Sequence, residues 1–427
     1  MEAELQGHFF ETPRVVSGRS GSFVDNMKLP VHRWFRYSAG FSADWVEAVI
    51  REAQQGSKKV TVLDPFAGSG TALIAAEQVG VESFGAEAHP FVVRVARAKL
   101  SYRADPLDFL DRAREVVSRS RRLKPRIDEY PPLIRKCFGD DSLYSLAALS
   151  RAVVEQSDDE PASLLCWLAL VGILRSTSHV GTAPWQYVLP TKSKRGVLEP
   201  REAFAAMAQM MATDMASMHR DGPPAALLQT DARTCEGVPD GFASLVITSP
   251  PYANNYDYAD ATRLEQTFLG EIEGWSDLQT AVRKHLVRSC SQHVTERSVN
   301  LDEVLSSSEL SPIADELHEV CSKLGEVRMV KGGKKNYHLM AACYFADMAK
   351  VWIALRRTCA PGARVCFVIG DSAPYGVYLP VVEWMGALAQ SAGFGDWTFE
   401  KFRDRNIKWK NRKHRVPLLE GRLWVNG

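Results

Sequence analysis

Neither sign of charge dominates this chain. Its 427 residues carry 52 Lys and Arg against 51 Asp and Glu, a net charge of +1. That balance excludes a uniformly basic nucleic-acid coat, so any basic surface must be local. The eight cysteines form no Cys-x-x-Cys pair and no Cys/His cluster at zinc spacing. Reduced, mostly buried thiols are expected, with no disulfide and no structural metal. The longest apolar run, Leu164 to Leu174, is too short to span a bilayer and reads as a core helix. Met1-Glu2-Ala3-Glu4 is acidic, and no apolar core of signal-peptide type follows it. A soluble cytoplasmic protein with no membrane partner is therefore expected. The rest of the composition, 45% hydrophobic and 24% charged, is ordinary for a globular protein. The length allows two to three domain-sized units.

What is present centres on Ser249-Pro250-Pro251-Tyr252. The tetrapeptide follows Leu245-Val246-Ile247-Thr248, an apolar, partly β-branched run that reads as a buried parallel strand. Open α/β sheets bind their ligands just beyond such carboxyl ends. The two prolines lack amide hydrogens, and the second pushes the first toward an extended conformation, which leaves carbonyls facing outward on a stiff turn. The Ser249 hydroxyl and the Pro250 carbonyl are two acceptors able to converge on one amino group. Tyr252 offers a flat face for a planar ring.

A second signal lies upstream. The strand Val60 to Leu63 runs into Asp64-Pro65-Phe66-Ala67-Gly68-Ser69-Gly70-Thr71, and a helix through Ala72, Leu73, Ala75 and Ala76 follows. Gly68 and Gly70 allow close approach of the backbone to a ligand, and the helix start favours a negative group. The turn lacks the Lys-Ser/Thr pair of a phosphate loop and the third spaced glycine of a dinucleotide site. The next strand, Ser83 to Ala86, ends at Glu87, where an acid commonly accepts hydrogen bonds from a ribose.

Together, Asp64 to Thr71 and Thr248 to Tyr252 resemble the paired signatures of S-adenosylmethionine-dependent amino-group DNA methyltransferases, most closely the cytosine-N4 branch. Asn254-Asn255-Tyr256-Asp257-Tyr258, leading to Leu264-Glu265, is similar to bacterial members of that group. The resemblance covers 31–100, 227–265 and 340–427. It implies an α/β fold, a Rossmann-like methyltransferase sheet whose final strand is antiparallel. S-adenosyl-L-methionine is the implied cofactor, held by Asp64, Phe66, Ala67, Gly68, Gly70, Thr71, Glu87 and Asp231. The last of these resembles the family acid on the adenine amine, although it could instead cap a turn with Ala232-Arg233. Catalysis is assigned to Ser249, Pro250 and Tyr252, and no metal is implied.

Around that core, 1–30 reads as an arm, 101–226 as a mainly helical insertion and 266–339 as a second, more polar one. The insertion helices are expected from Asp105-Pro106 onward, over Ser142 to Val154 and over Ala162 to Ile173, and Ser42 is expected to cap the helix before the first strand. Residues expected to contact DNA, the duplex partner, are Arg33 in the basic-aromatic stretch His32 to Tyr37, Lys334 and Lys335, and Lys408, Lys410, Arg412 and Lys413 in the last basic run.

Attack on cytosine C5 needs a cysteine nucleophile, which follows a proline in the corresponding enzymes; no Pro-Cys pair occurs here. Attack by an exocyclic amine needs none. Serine at position 249 favours cytosine N4 by resemblance, with adenine N6 and then an RNA amino group as alternatives. Base flipping and a cognate restriction enzyme belong to the same expectation.

Overall fold

The computed structural model describes residues 25–37, 41–56, 59–182, 187–254, 256–405 and 416–427. Nine strands occur among them: β1 (Thr61–Asp64), β2 (Glu82–Ala86), β3 (Val180–Thr182), β4 (Val188–Ser193), β5 (Ala226–Leu228), β6 (Ala243–Thr248), β7 (Cys359–Gly370), β8 (Trp397–Arg405) and β9 (Leu418–Asn426). Seven of them make one sheet in the order β5-β2-β1-β6-β7-β9-β8. The first five are parallel. β9 runs antiparallel between β7 and β8. This is the mostly parallel Rossmann-like methyltransferase sheet, with the C-terminal strand reversed.

Burial on both faces explains why its central strands are continuously apolar. All four residues of β1 are buried, as are five of the six in β6. Helices Thr71–Val79 and Pro90–Leu100 supply the crossovers after β1 and β2. The carboxyl ends of β1, β2 and β6 therefore deliver Asp64, Glu87 and Ser249 to one edge of the sheet.

Between β2 and β5 the chain builds four long helices, Pro106–Ser120, Asp140–Glu155, Pro161–Thr177 and Pro200–Ser217. The Asp105 carboxylate caps the first by accepting from the Leu107 N–H at 2.7 Å. Phe109, Leu146, Trp167 and Phe204 share a continuous core with Trp34, Phe91 and Val92 of the first segment. The short β3–β4 hairpin in this region has no counterpart in the sequence reading.

The segment 25–37 is strapped onto this layer. Buried Asp214 accepts from the Val31 N–H at 3.2 Å, from Arg33 Nε at 3.0 Å and from Trp34 Nε1 at 2.8 Å. Lys99, fully buried, donates from Nζ to the His32 carbonyl at 2.9 Å and the Phe35 carbonyl at 3.2 Å. Burial lowers its pKa to about 7. At the start of helix Ala43–Gly56 the Asn26 Oδ1 accepts from the Ala43 N–H at 3.0 Å, and the Ser42 carbonyl accepts from the Val46 N–H at 3.2 Å.

Three elements depart in length from what their sequence pattern predicts. Tyr344 to Leu355 reads as a long amphipathic helix, and the helix spans Tyr337–Thr358. By length and composition it could cross a membrane, but 78% of its most apolar window is buried inside the protein. Ala363 to Ile369 reads as a buried strand, but β7 starts four residues earlier at Cys359, across a register shift opposite Ala243 and Leu245. Ala226 to Thr230 reads as the strand where the sheet resumes, but β5 stops at Leu228 because its pairing with β2 ends at Ala86. All eight cysteines are buried free thiols.

Candidate active site

A cleft of about 760 Å³, open to solvent, lies over the carboxyl ends of β1, β2 and β6. The loop after β1 forms its floor. Gly68 has φ 53° and Gly70 has φ 87°, left-handed values that favour glycine, and a Cβ on Gly68 would come within 3.4 Å of the Tyr37 ring. Helix Thr71–Val79 has no side chain capping its first turn, so its leading amides face the loop without an acceptor side chain.

Glu87 closes one wall. Its Oε2 accepts from the Gly68 N–H and its Oε1 from the His89 N–H, both at 2.8 Å. Each oxygen keeps a lone pair, which suits a ribose diol. Burial raises the pKa of this carboxyl. Asp64 is buried more deeply, and its Oδ1 accepts from the Phe66 N–H at 3.0 Å and from the Thr248 hydroxyl at 2.6 Å. Burial pushes its pKa up to about 7. The Thr248 contact bolts the acceptor tetrapeptide directly to the loop after β1, a link that neither motif announces in sequence.

Asp231 also lines the cleft. Its Oδ1 accepts from the Arg233 N–H at 2.9 Å and its Oδ2 from Arg233 Nε at 2.9 Å. Arg233 continues to Asp347 at 3.3 Å, and Asp347 pairs with Arg288 at 2.6 Å. Asp231 is thus both a turn cap and a fixed wall of the cleft.

Ser249 and Pro251 line the same cleft. The Ser249 hydroxyl donates over a long 3.4 Å to the Val368 carbonyl, so its lone pairs are left to accept. The tetrapeptide is held from behind, because the Pro251 carbonyl accepts from the Tyr344 hydroxyl at 2.9 Å. The Ala253 carbonyl likewise accepts from the Ser372 hydroxyl. Tyr252 is partly buried, with the Arg405 guanidinium 5.3 Å from its ring centroid and its hydroxyl 3.4 Å from Glu420. Tyr258 also lines the cleft, and its ring meets that of Tyr256 edge-on at 4.6 Å.

A second, wider cleft of about 1450 Å³ begins at Asn254, just past the tetrapeptide. Lys331, Lys334 and Lys335 line it together with Arg405. The three lysines sit on the turn between helices Ala314–Val330 and Tyr337–Thr358. Arg33 is placed elsewhere, its fork engaged by Asp214. Lys408, Lys410, Arg412 and Lys413 lie outside the described residues. Of the preceding basic positions on β8, Lys401 pairs with Asp404 at 2.7 Å and Arg403 with Glu420 at 2.7 Å.

Several lining residues had no place in the cleft assigned from the sequence. Tyr37 and Phe41 reach the cleft from the strapped N-terminal segment, and His285, Leu286 and Val287 from the polar insertion. Tyr258 stood inside a quoted motif without a role. Only their through-space position marks them.

The sheet order, with five parallel strands and a reversed C-terminal strand, is that of the Rossmann-like methyltransferase fold. No family model matches the chain. It is 25% identical to the Type II methyltransferase M.BsoBI of Geobacillus stearothermophilus over 439 aligned positions, covering 91% of this chain and 83% of that one. It is also 25% identical to the Type II methyltransferase M.AvaI of Nostoc sp. and of Anabaena variabilis. Those alignments run over 401 positions, 87% of this chain and 81% of each relative. The similarity thus extends through the insertions as well as the sheet.

Proposed function

We propose that the protein is a site-specific DNA methyltransferase acting on the exocyclic N4 amine of cytosine in a flipped-out base. One observation carries the reading: a single cleft is lined by Gly68 and Glu87 together with Ser249 and Pro251. The likeness to Type II methyltransferases over about nine tenths of the chain supports it.

In this reading Asp64, Phe66, Ala67, Gly68, Gly70 and Thr71 cradle S-adenosylmethionine, Glu87 takes the ribose and Asp231 the adenine amine. When bound, S-adenosylmethionine supplies an electrophilic sulfonium methyl. The protein's own contribution is positioning. Ser249 Oγ and the Pro250 carbonyl accept the two amine hydrogens, which favours rehybridisation of a nitrogen lone pair otherwise delocalised into the ring. Tyr344 and Ser372 fix the turn, so these acceptors need not reorganise. Tyr252 stacks on the base, and no strong general base is required before attack. Lys334 and Lys335, with the basic run from Lys408 to Lys413, lie against phosphates. A cytoplasmic setting and a cognate restriction enzyme fit this assignment.

The test is transfer of labelled methyl from S-adenosylmethionine to plasmid DNA, followed by nucleoside digestion. Label in N4-methylcytosine is expected. Label in N6-methyladenine would overturn the choice of base, and label in RNA alone would overturn the choice of polymer.

A further inference from the structure

The second cleft contains more than a patch of positive charge. Tyr375 on its wall has φ 54° and ψ 11°, a left-handed conformation rare and strained for an aromatic residue. Pro374 precedes it, and Gly376 follows with φ 85°. This short turn holds the Tyr375 ring edge-on to Tyr337, centroids 4.6 Å apart and planes at 78°. Facing them, Lys331, Lys334 and Lys335 are exposed and have no carboxylate within ion-pair distance among the described residues. The turn that bears these lysines runs through Gly332 and Gly333, both left-handed.

The cleft also adjoins the acceptor motif at two points. Asn254 stands at its mouth, and Arg405 on its wall reaches back over the Tyr252 ring. The second cleft therefore borders the tetrapeptide on the side of Tyr252. Phosphate-seeking ammonium groups beside a fixed aromatic face are what an unpaired nucleotide requires.

Building on the assignment of DNA as substrate, we infer that this cleft binds the nucleotide next to the extruded base as a single strand. Its phosphate lies on Lys331 and Lys334, and its base stacks on Tyr375. Arg405 bridges the two clefts, touching the Tyr252 face and the flanking strand together. Because stacking accepts any base, the cleft grips the opened strand without reading sequence. Its function is to hold the distorted duplex open beside the target.

The probe is a fluorescein-labelled single-stranded dodecathymidylate, titrated by anisotropy into the full-length protein at several salt concentrations. Tyr375→Gly removes the ring and relieves the strained φ, so it should melt no lower than wild type. It should bind the probe about 5- to 150-fold more weakly, the equivalent of about 1–3 kcal/mol for one lost stack, with an unchanged salt slope. Tyr375→Phe should bind like wild type. The Lys331→Ala/Lys334→Ala double variant should lower the salt slope by about 0.7 per lost contact. Wild-type affinity in Tyr375→Gly, or equal weakening in Tyr375→Phe, would overturn the stacking assignment. An unchanged slope in the lysine variant would overturn the phosphate assignment even if Tyr375→Gly folded poorly. A wild-type protein that methylates DNA while these variants bind normally refutes this cleft alone. One that neither methylates DNA nor retains the probe refutes the DNA reading with it.

Discussion

Ser249 and Tyr252 stand three residues apart, and the proposed reaction gives them different jobs: one accepts a hydrogen bond, the other offers a surface. Ser249 makes only a long hydrogen bond to Val368, so Ser249→Ala should leave folding, cofactor binding and DNA binding intact. Turnover should fall by ~10²–10³, as for one preorganised active-site hydrogen bond. Tyr252→Ala should in addition weaken the flipped-out complex by about 1–3 kcal/mol, read with a fluorescent base analogue at the target. Tyr252→Phe should be mild, because the hydroxyl's contact with Glu420 is 3.4 Å long. Near wild-type turnover in Ser249→Ala would show that the acceptor lies elsewhere.

Asp64 makes a different expectation, in pH. Its carboxyl titrates near 7 in the fold against an ordinary 3.8, burial being the cause. The native state therefore holds an extra proton between those values. The stability this contributes is fully present below about 3.8 and is lost as pH rises through about 7. Relative to Asp64→Asn, wild type should lose stability between pH 5 and 8, by an amount of order 1–4 kcal/mol. Urea midpoints of both proteins at the two pH values measure it; parallel profiles would refute it.

At the scale of elements, the N-terminal strap is the piece whose chemistry the sequence concealed. Its basic and aromatic residues suggested nucleic acid, yet Arg33 and Trp34 spend their donors on Asp214. An acid on an otherwise core-facing helix was the available sign. Removing it with Asp214→Ala leaves buried donors unpaired and should cost about 3–5 kcal/mol. It should also weaken cofactor binding, because Tyr37 leaves the loop at Gly68. A variant that melts lower but keeps full cofactor affinity would sever strap from cleft. The central strands, by contrast, were legible, since burial on both faces writes an apolar run such as Leu245 to Ile247. The β3–β4 hairpin was not, because Val180-Gly181-Thr182 shows no alternation and its register is irregular. Nor does any period encode the Thr248–Asp64 or Tyr344–Pro251 hydrogen bonds, which join residues far apart in the chain.

For the whole molecule, near-neutral charge makes the location of cations decisive. The run containing Lys408, Lys410 and Arg412 follows β8. Reversing these three to acids should weaken binding to all DNA alike and lower the salt slope by about one for each lost contact. Unchanged affinity and slope would mean a solvated face. The candidate site itself was half legible. The two loops at strand ends carry local signatures, whereas the walls from Tyr37 and His285 and the brace from Tyr344 behind Pro251 exist only after folding.

The pairing of β2 with β5 sets the order in which the protein can become competent. Ala86 meets Leu228 only by closing a loop of about 140 residues, an entropic cost paid before the sheet edge exists. A nascent chain displays its glycine loop early, but Asp231, Ser249 and His285 emerge much later. On the proposed function, ligand capture is therefore a closing event of synthesis. Truncated translation products, complete in their first motif, would then compete neither for cofactor nor for substrate.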